Sequence, residues 1–175
     1  PKLDIQYKNV YGKEDTLVTI QIDMLLAERF GMYYTDENGE KKLPYIIHRT
    51  SLGCYERTLA YLIETYAGAL PTWMAPEQVR FLPVTDRAVD YCKDQAANLT
   101  AQGYRVTVDT RSEKIGKKIR DAQMEKIPYM LVVGDRDIEA GTVSPRHRAD
   151  GDLGAMTLDA FTAVLKDVVD NKLKK

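Results

Sequence analysis

The feature that most constrains the fold is a regular alternation of strand-like and helix-like patterns in the second half of the chain. Four apolar runs have the length of strands: 79–84, 104–108, 129–133 and 141–146. Helical patterns lie between them at 86–102 and 113–126, and Asp86 and Thr157 are suited to cap helices. Such alternation is typical of βαβ units and of a mixed, mostly parallel sheet flanked by helices. The pattern therefore predicts an α/β domain at 76–175.

The first part of the chain has the pattern of an antiparallel sheet. Apolar and polar residues alternate within 1–50, and a turn signal at 36–39 separates two strand-like runs. A helical pattern follows at 53–67, and a segment with two prolines at 69–76 reads as a linker. We therefore expect a sheet and one helix at 1–75, with the domain boundary near residue 75.

Composition excludes several classes of protein. The net charge is −1, so any surface that binds nucleic acid must be local. Cys54 and Cys92 form neither a disulfide framework nor a cysteine-rich zinc module, which favours a reducing, cytoplasmic location. No apolar run approaches the ~20 residues that span a bilayer, so we expect no membrane partner. Pro1 is not a natural start, and we expect the chain to be a piece of a longer protein with a disordered end at 172–175.

Several segments carry a resemblance that is more specific than the fold. Residues 43–57 read Leu-Pro-Tyr-Ile-Ile-His-Arg-Thr-Ser-Leu-Gly-Cys-Tyr-Glu-Arg, in which a strand turns through glycine into a helix. The other matching segments are 66–68, 71–76, 78–79, 111–120, 128–135 and 141–143. Together they resemble the C-terminal part of threonyl-tRNA synthetases, a family of class II aminoacyl-tRNA synthetases. The resemblance implies that 43–60 is the third class II motif, that 1–75 ends a catalytic domain, and that 76–175 binds the anticodon.

The resemblance also implies a reaction and its partners. The parent would activate threonine with ATP and Mg²⁺, transfer it to threonine tRNA, and act as a homodimer in the cytoplasm. The first two class II motifs and two of the zinc ligands lie outside the chain, so we expect the chain alone to be inactive. Two other hypotheses are weighed beside this one: a free-standing accessory module that resembles the anticodon-binding domain and binds tRNA, and a small-molecule binder of flavodoxin-like form. The second lacks a glycine-rich phosphate loop.

Three residues are implied to act at the catalytic site. Arg57 would hold ATP, since a guanidinium can stack on adenine and pair with phosphate. Gln21 would line the pocket for threonine and its adenylate, and His48 would be one of three zinc ligands. From the residues alone, Arg57 can equally tie helix to sheet, His48 can be a core histidine, and Gln21 can face solvent. Thr16 stands where the family has a longer glutamine that helps to hold the nucleotide. Because threonine is shorter, we assign no such role to Thr16.

A basic stretch is the candidate surface for RNA. Residues 105–126 hold seven basic and four acidic side chains, and Lys114, Lys117 and Lys118 are candidates for phosphate contacts. A solvated charged face is the simpler interpretation. Carried over by position, the residues implied to contact the anticodon are Ser112, Arg120, Lys126, Asp137 and Arg146. The family usually has Asn, Arg, Arg, Glu and Arg at these positions.

Overall fold

The chain divides into two compact units, Pro1–Thr65 and Tyr66–Lys175. The structure is a computed structural model that describes residues 1–173. The disorder expected at 172–175 falls partly on 174–175, which lie outside the described residues. Leu173 still donates a backbone hydrogen bond to Val168.

The first unit is built around a small antiparallel sheet, as the alternation predicts. Its elements are β1 Lys2–Lys8, β2 Glu14–Asp23, α1 Leu26–Arg29, β3 Tyr34–Thr35, β4 Lys41–Lys42, β5 Ile46–Arg49 and α2 Tyr55–Tyr66. The strand order in the sheet is β1-β2-β5, and β3 pairs with β4 in a separate ribbon. The turn at 36–39 connects only this short ribbon. The next apolar run pairs instead with β2, where Ile47 lies opposite Ile22.

The second unit is an open sheet with helices on both faces. Its elements are β6 Val79–Pro83, α3 Ala88–Ala101, β7 Val106–Val108, α4 Ile115–Met124, β8 Tyr129–Val133, α5 Asp135–Ala140, β9 Thr142–His147, β10 Gly151–Asp152, β11 Met156–Thr157 and α6 Leu158–Asp170. The strand order is β10-β9-β8-β6-β7, and β11 also pairs with β9. The three strands β6, β7 and β8 are parallel, and β9 adds an antiparallel strand beside β8. The predicted mixed α/β fold is confirmed.

Successive residues of the strands supply two separate apolar clusters, because side chains alternate between the faces of a sheet. On one face, Phe81 and Leu131 pack with α3 and α6. On the other face, Leu82 and Met130 pack with α4. Among the described residues, α4 is the helix that packs on this second face, and its Ile115 and Ile119 lie beside Arg146 of β9 and Asp152 of β10.

Three local expectations differ from the structure. Helix α3 begins at Ala88, and Asp86 does not cap it with its side chain, whereas Thr157 Oγ1 does accept from the Ala160 amide at the start of α6. Helix α5 was not expected, because its six residues are too short to show a helical period. The division between the units falls after Thr65, before the boundary expected near residue 75.

The segment that follows α2 is held to the second unit by side chains from that unit. Arg148 donates to the carbonyls of Ala69 and Leu70, at 2.9 and 2.7 Å. Arg105 donates to the carbonyls of Trp73 and Ala75, at 2.9 and 2.8 Å. These contacts satisfy backbone oxygens that a loop would otherwise leave to water, so 66–76 behaves as part of this unit rather than as a free linker.

Candidate nucleic-acid interface and catalytic residues

Gln21 and His48 face each other on the sheet of the first unit. They are directly opposed in the antiparallel register of β2 and β5, so both side chains lie on the same face. Thr19 and Asp4 form another opposed pair on that face, and the Thr19 hydroxyl donates to the Asp4 carboxylate at 2.7 Å. The β-alternation thus gathers polar groups on one face of this sheet.

His48 is about half exposed, with 49% of its side-chain surface accessible in this chain. Its Nε2 lies 3.5 Å from the carboxylate of Asp23. The amides of Leu26 and Leu25 donate to this carboxylate and hold the pKa of Asp23 below its usual range. His48 is therefore not a buried core histidine here, and Asp23 is fixed in place to orient its ring.

The described residues contain no group of three or more His, Cys, Asp or Glu side chains that could hold a metal ion. A catalytic zinc takes three protein ligands and keeps one position open. The single imidazole of His48 does not complete such a set. The donors within residues 1–173 therefore do not fit a whole zinc site.

Arg57 lies on α2 and contacts the other end of β2. Its Nη1 donates to the carbonyl of Thr16 at 2.8 Å. Thr16 is separated from Gln21 by a length of strand on the order of 17 Å, at about 3.3 Å per residue. Arg57 ties helix to sheet in this chain, and the structure does not bring it into contact with Gln21 or His48.

Lys118 is not on the surface. Its ammonium donates to the carbonyls of Pro83 and Asp109, at 3.0 and 3.2 Å, and the residue is 5% exposed. The expectation that Lys118 contacts phosphate is therefore wrong. The apolar stripe of α4 is formed by Ile115, Ile119 and Ala122, and helical spacing places Lys118 within it. That spacing was visible in the sequence and could have identified Lys118 as a buried residue.

The side chain of Arg111 is also held by hydrogen bonds within the second unit. Its guanidinium donates to both carboxylate oxygens of Asp109, at 2.9 and 2.7 Å, and to Asp121 at 3.0 Å. These bonds lower the pKa of Asp109, with the Arg111 side chain as the largest cause. The basic stretch therefore has an inner part, Arg111 and Lys118, that stabilises the domain. Its outer part is exposed, and Lys117 there forms an ion pair with Glu113.

A groove lies beside α4 on the open part of the sheet face. It has a volume of about 360 Å³ and is lined by Val84, Ile115, Ile119, Val132, Ser144, Arg146 and Asp152. Four elements contribute to it: α4 supplies the isoleucines, β8 and β9 supply the opposite wall, and β10 supplies the carboxylate. Arg146 is half buried, and its Nε has no hydrogen-bond partner among the described residues. Buried donors of this kind are rare in native structures.

The other residues implied to read the anticodon are more dispersed. Arg120 is exposed on α4, and its guanidinium makes no hydrogen bond to another described residue. Ser112 lies before the start of α4 and lines a second cavity of about 360 Å³ with Lys114. Lys126 lies beyond the other end of α4, and its ammonium donates to the carbonyl of Ala67. Ser112 and Lys126 therefore flank opposite ends of this helix.

The carboxylate of Asp137 accepts hydrogen bonds from α5 and from the neighbouring strand β9. It accepts from the Gly134 amide at 2.9 Å, which closes the capping box of α5. It also accepts from the hydroxyl groups of Ser144 and Thr142, at 3.0 and 3.4 Å. Through Ser144 it is linked to the wall of the groove. Asp152 and Ser144 are two groove residues that the sequence did not indicate, because their place depends on the pairing of β9 with its neighbours.

Comparison with known proteins connects these features to one family. Residues 78–168 match the model of the anticodon binding domain, and residues 1–66 match that of the tRNA synthetase class II core domain. A threonine–tRNA ligase of Clostridium perfringens is 62% identical over 92% of this chain, and one of Clostridium botulinum is 56% identical over 98%. The chain belongs to the threonyl-tRNA synthetase family. The crystal structure of the RNA binding domain of threonyl-tRNA synthetase from Cryptosporidium parvum is similar to this chain, with a TM-score of 0.83 and 32% identity over 96% of this chain and 43% of that one.

This member of the threonyl-tRNA synthetase family spans about a quarter of the length of the curated relatives it matches, 25% and 27% for the two ligases above. Its two matched domains coincide closely with the two compact units. Within the described part of the chain, none of the helices combines the length and apolar character needed to cross a bilayer.

Proposed function

We propose that the second unit binds the anticodon loop of threonine tRNA through the groove beside α4. The observation that carries this proposal is the groove itself, which joins an apolar wall to the half-buried Arg146 within an anticodon-binding domain. Single-stranded RNA is read by bases that leave the stack, pack on flat or apolar surfaces and hydrogen-bond at their edges. A groove of about 360 Å³ is large enough for one such base.

In this proposal the groove contacts a base, and the exposed basic side chains of α4 contact a second base or the phosphate backbone. Ile115, Ile119 and Val132 cover the faces of a base, and Arg146 offers N–H donors to its edge. Arg120, on the outer side of α4, is free to reach a second base or a phosphate. Lys114 and Lys117 are exposed at the start of α4 and would provide positive charge for the phosphate backbone.

The first unit belongs, in this proposal, to a longer enzyme that activates threonine with ATP and Mg²⁺ and transfers it to tRNA. Its class II core match supports this, as do the exposed apolar residues Leu3, Ile5 and Ile47, which a larger catalytic domain would cover. Gln21 would line the pocket for threonine and adenylate. Arg57 would exchange its bond to Thr16 for one to ATP. The longer enzyme would act as a homodimer.

His48 would serve the zinc ion of that longer enzyme as one of its ligands, with two more supplied from outside this chain. The metal that His48 would help to hold would supply Lewis-acid chemistry that distinguishes the hydroxyl group of threonine from the methyl group of valine. Within this chain, Asp23 would orient the imidazole, as carboxylates commonly do for histidine ligands. The chain alone would not activate threonine, because the rest of the catalytic site is missing.

The experiment that tests the proposal is a titration of the chain with RNA hairpins. One hairpin carries the anticodon loop of threonine tRNA, and the other has the same stem with a different anticodon. We expect tighter binding of the first at every salt concentration, because base contacts add to a phosphate contribution that both hairpins share. Equal affinity for the two hairpins would contradict anticodon reading and leave only electrostatic binding.

A further inference from the structure

Asp152 and Arg146 form a pair across two neighbouring strands. They are directly opposed in the antiparallel register of β10 and β9, so their side chains share one face of the sheet. Arg146 Nη1 lies 3.4 Å from Asp152 Oδ2. Both residues line the groove beside α4. The guanidinium therefore has an acidic neighbour at the groove wall.

The carboxylate of Asp152 is itself held by the backbone. Its Oδ1 accepts from the amide of Gly154 at 2.9 Å. Gly151 and Gly154 both have φ values of +79°, so the short turn around Asp152 needs glycine at both positions. One oxygen is thus fixed by the turn, and the other is left for Arg146.

Arg146 has few other restraints on its side chain. Asp152 is the one residue within the described chain to which its guanidinium makes an ion pair or hydrogen bond, and its buried Nε has no partner. A long arginine side chain loses much rotamer freedom when it binds a ligand. An interaction that restricts the guanidinium beforehand lowers that cost and selects one orientation for the incoming base.

We propose that Asp152 is a positioning residue that orients Arg146 in the groove and so determines which base edge the groove accepts. This inference rests on the proposed binding of the anticodon. Arginine offers only donors and a carboxylate only acceptors. A guanidinium held in one orientation by Asp152 therefore suits a base edge that presents acceptors. Asp152 acts on the base through Arg146.

The pair is solvent-accessible, and exposed ion pairs contribute little to stability. We therefore expect Asp152→Asn to fold, since an amide oxygen can still accept from Gly154. Asp150→Asn is the matched control. It removes the same charge from the turn between β9 and β10, but Asp150 pairs with His147, at 2.9 Å, and not with Arg146.

The experiment titrates the whole chain with the threonine anticodon hairpin and with three hairpins that each change one anticodon base. We expect Asp152→Asn to reduce the discrimination at one loop position by about tenfold and to leave the other two unchanged. Asp150→Asn should leave the discrimination at all three anticodon positions unchanged. Asp152→Glu should restore part of the loss, because it keeps a carboxylate at the same position of β10.

A double-mutant cycle tests whether Asp152 acts through Arg146. In an Arg146→Ala background, Asp152→Asn should change discrimination no further, because the group that it positions is gone. An effect of the same size in that background would overturn the inference, as would unchanged discrimination in Asp152→Asn or a loss shared by Asp150→Asn. If the unmodified chain itself fails to discriminate, the proposed function is wrong, and the inference falls with it. A failure of the proposed function can be distinguished from a failure of the inference about Asp152, because it is observed with the unmodified chain.

Discussion

A Cβ atom at Gly53 would lie well inside van der Waals contact of the backbone carbonyl oxygen of Leu17. Gly53 also has a φ of +65°, which costs roughly 1–2 kcal/mol for a residue with a Cβ. This close approach fixes the turn from β5 into α2. We expect Gly53→Ala to destabilise the first unit by more than the cost of its φ alone. Hydrogen exchange at the Thr50 amide, which donates to Thr19, measures the effect.

Gly12→Ala is the control for this substitution. Gly12 has a φ of +75°, and a Cβ there meets no atom within 4 Å. It therefore carries the conformational cost without the clash. Equal acceleration of exchange in the two variants would show that the approach to Leu17 is unimportant.

Asp109→Asn should weaken the second unit at neutral pH and reduce its sensitivity to acid. The pKa of Asp109 is lowered in the folded chain, mainly by Arg111. Its contribution is therefore present above the unfolded pKa of about 3.9 and is lost as pH falls through the lower folded value. We expect a loss of about 1–2 kcal/mol at pH 7, reduced below about pH 4. Urea unfolding followed by Trp73 fluorescence at pH 7 and pH 3 measures this change. Asp94→Asn, an exposed carboxylate of α3, should show no such change.

Arg120→Ala should narrow the gap between cognate and non-cognate hairpins. Arg120 is exposed on α4 and follows Ile119 of the groove wall, and a guanidinium at a base edge discriminates by roughly 1–3 kcal/mol. The measurement is the ratio of the two dissociation constants for the variant and the unmodified chain. Arg136→Ala, another exposed arginine, should leave that ratio unchanged. A ratio that Arg120→Ala does not alter would mean that Arg120 contacts only phosphate.

Lys117→Ala should affect RNA binding and its salt dependence, whereas Lys118→Met should affect the stability of the fold. Lys117 is exposed, so its removal should weaken both hairpins alike and reduce the salt dependence of binding by about one phosphate contact. Lys118 is buried, so Lys118→Met should lower stability and leave the salt dependence intact. Titrations between 50 and 200 mM salt, roughly the range in which such effects are large, separate the two. A flatter salt dependence for Lys118→Met would contradict its buried position.

His48→Ala in the longer enzyme should remove zinc and the discrimination of threonine from valine. The proposal gives His48 one of three ligand positions, and loss of a ligand should empty a site with no spare donor. Metal analysis and activation assays with both amino acids test this. Asp23→Asn should weaken zinc binding by roughly 10–100-fold without abolishing it. Full zinc occupancy in His48→Ala would refute the assignment.

The sequence by itself determined the local elements and the family. The apolar runs of β6, β8 and α6 are visible in the residues because strands and helices have different periods. The Thr157 cap could be predicted for the same reason, since it joins a side chain to an amide three residues away. The segment 43–57, with its strand, glycine and helix, pointed to the class II core that residues 1–66 match.

Only the tertiary structure decided which elements pair and what their side chains then contact. The sequence did not show that β5 pairs with β2 or that β10 places Asp152 opposite Arg146. Register between strands distant in sequence depends on packing across the whole sheet, and a shift of one residue reverses every side chain. Asp137 was carried over as a possible reader of RNA, and the structure shows it capping α5 and holding Ser144. Its contacts with Thr142 and Ser144 form only when α5 packs beside β9, because a carboxylate accepts from whichever donors the fold brings within reach.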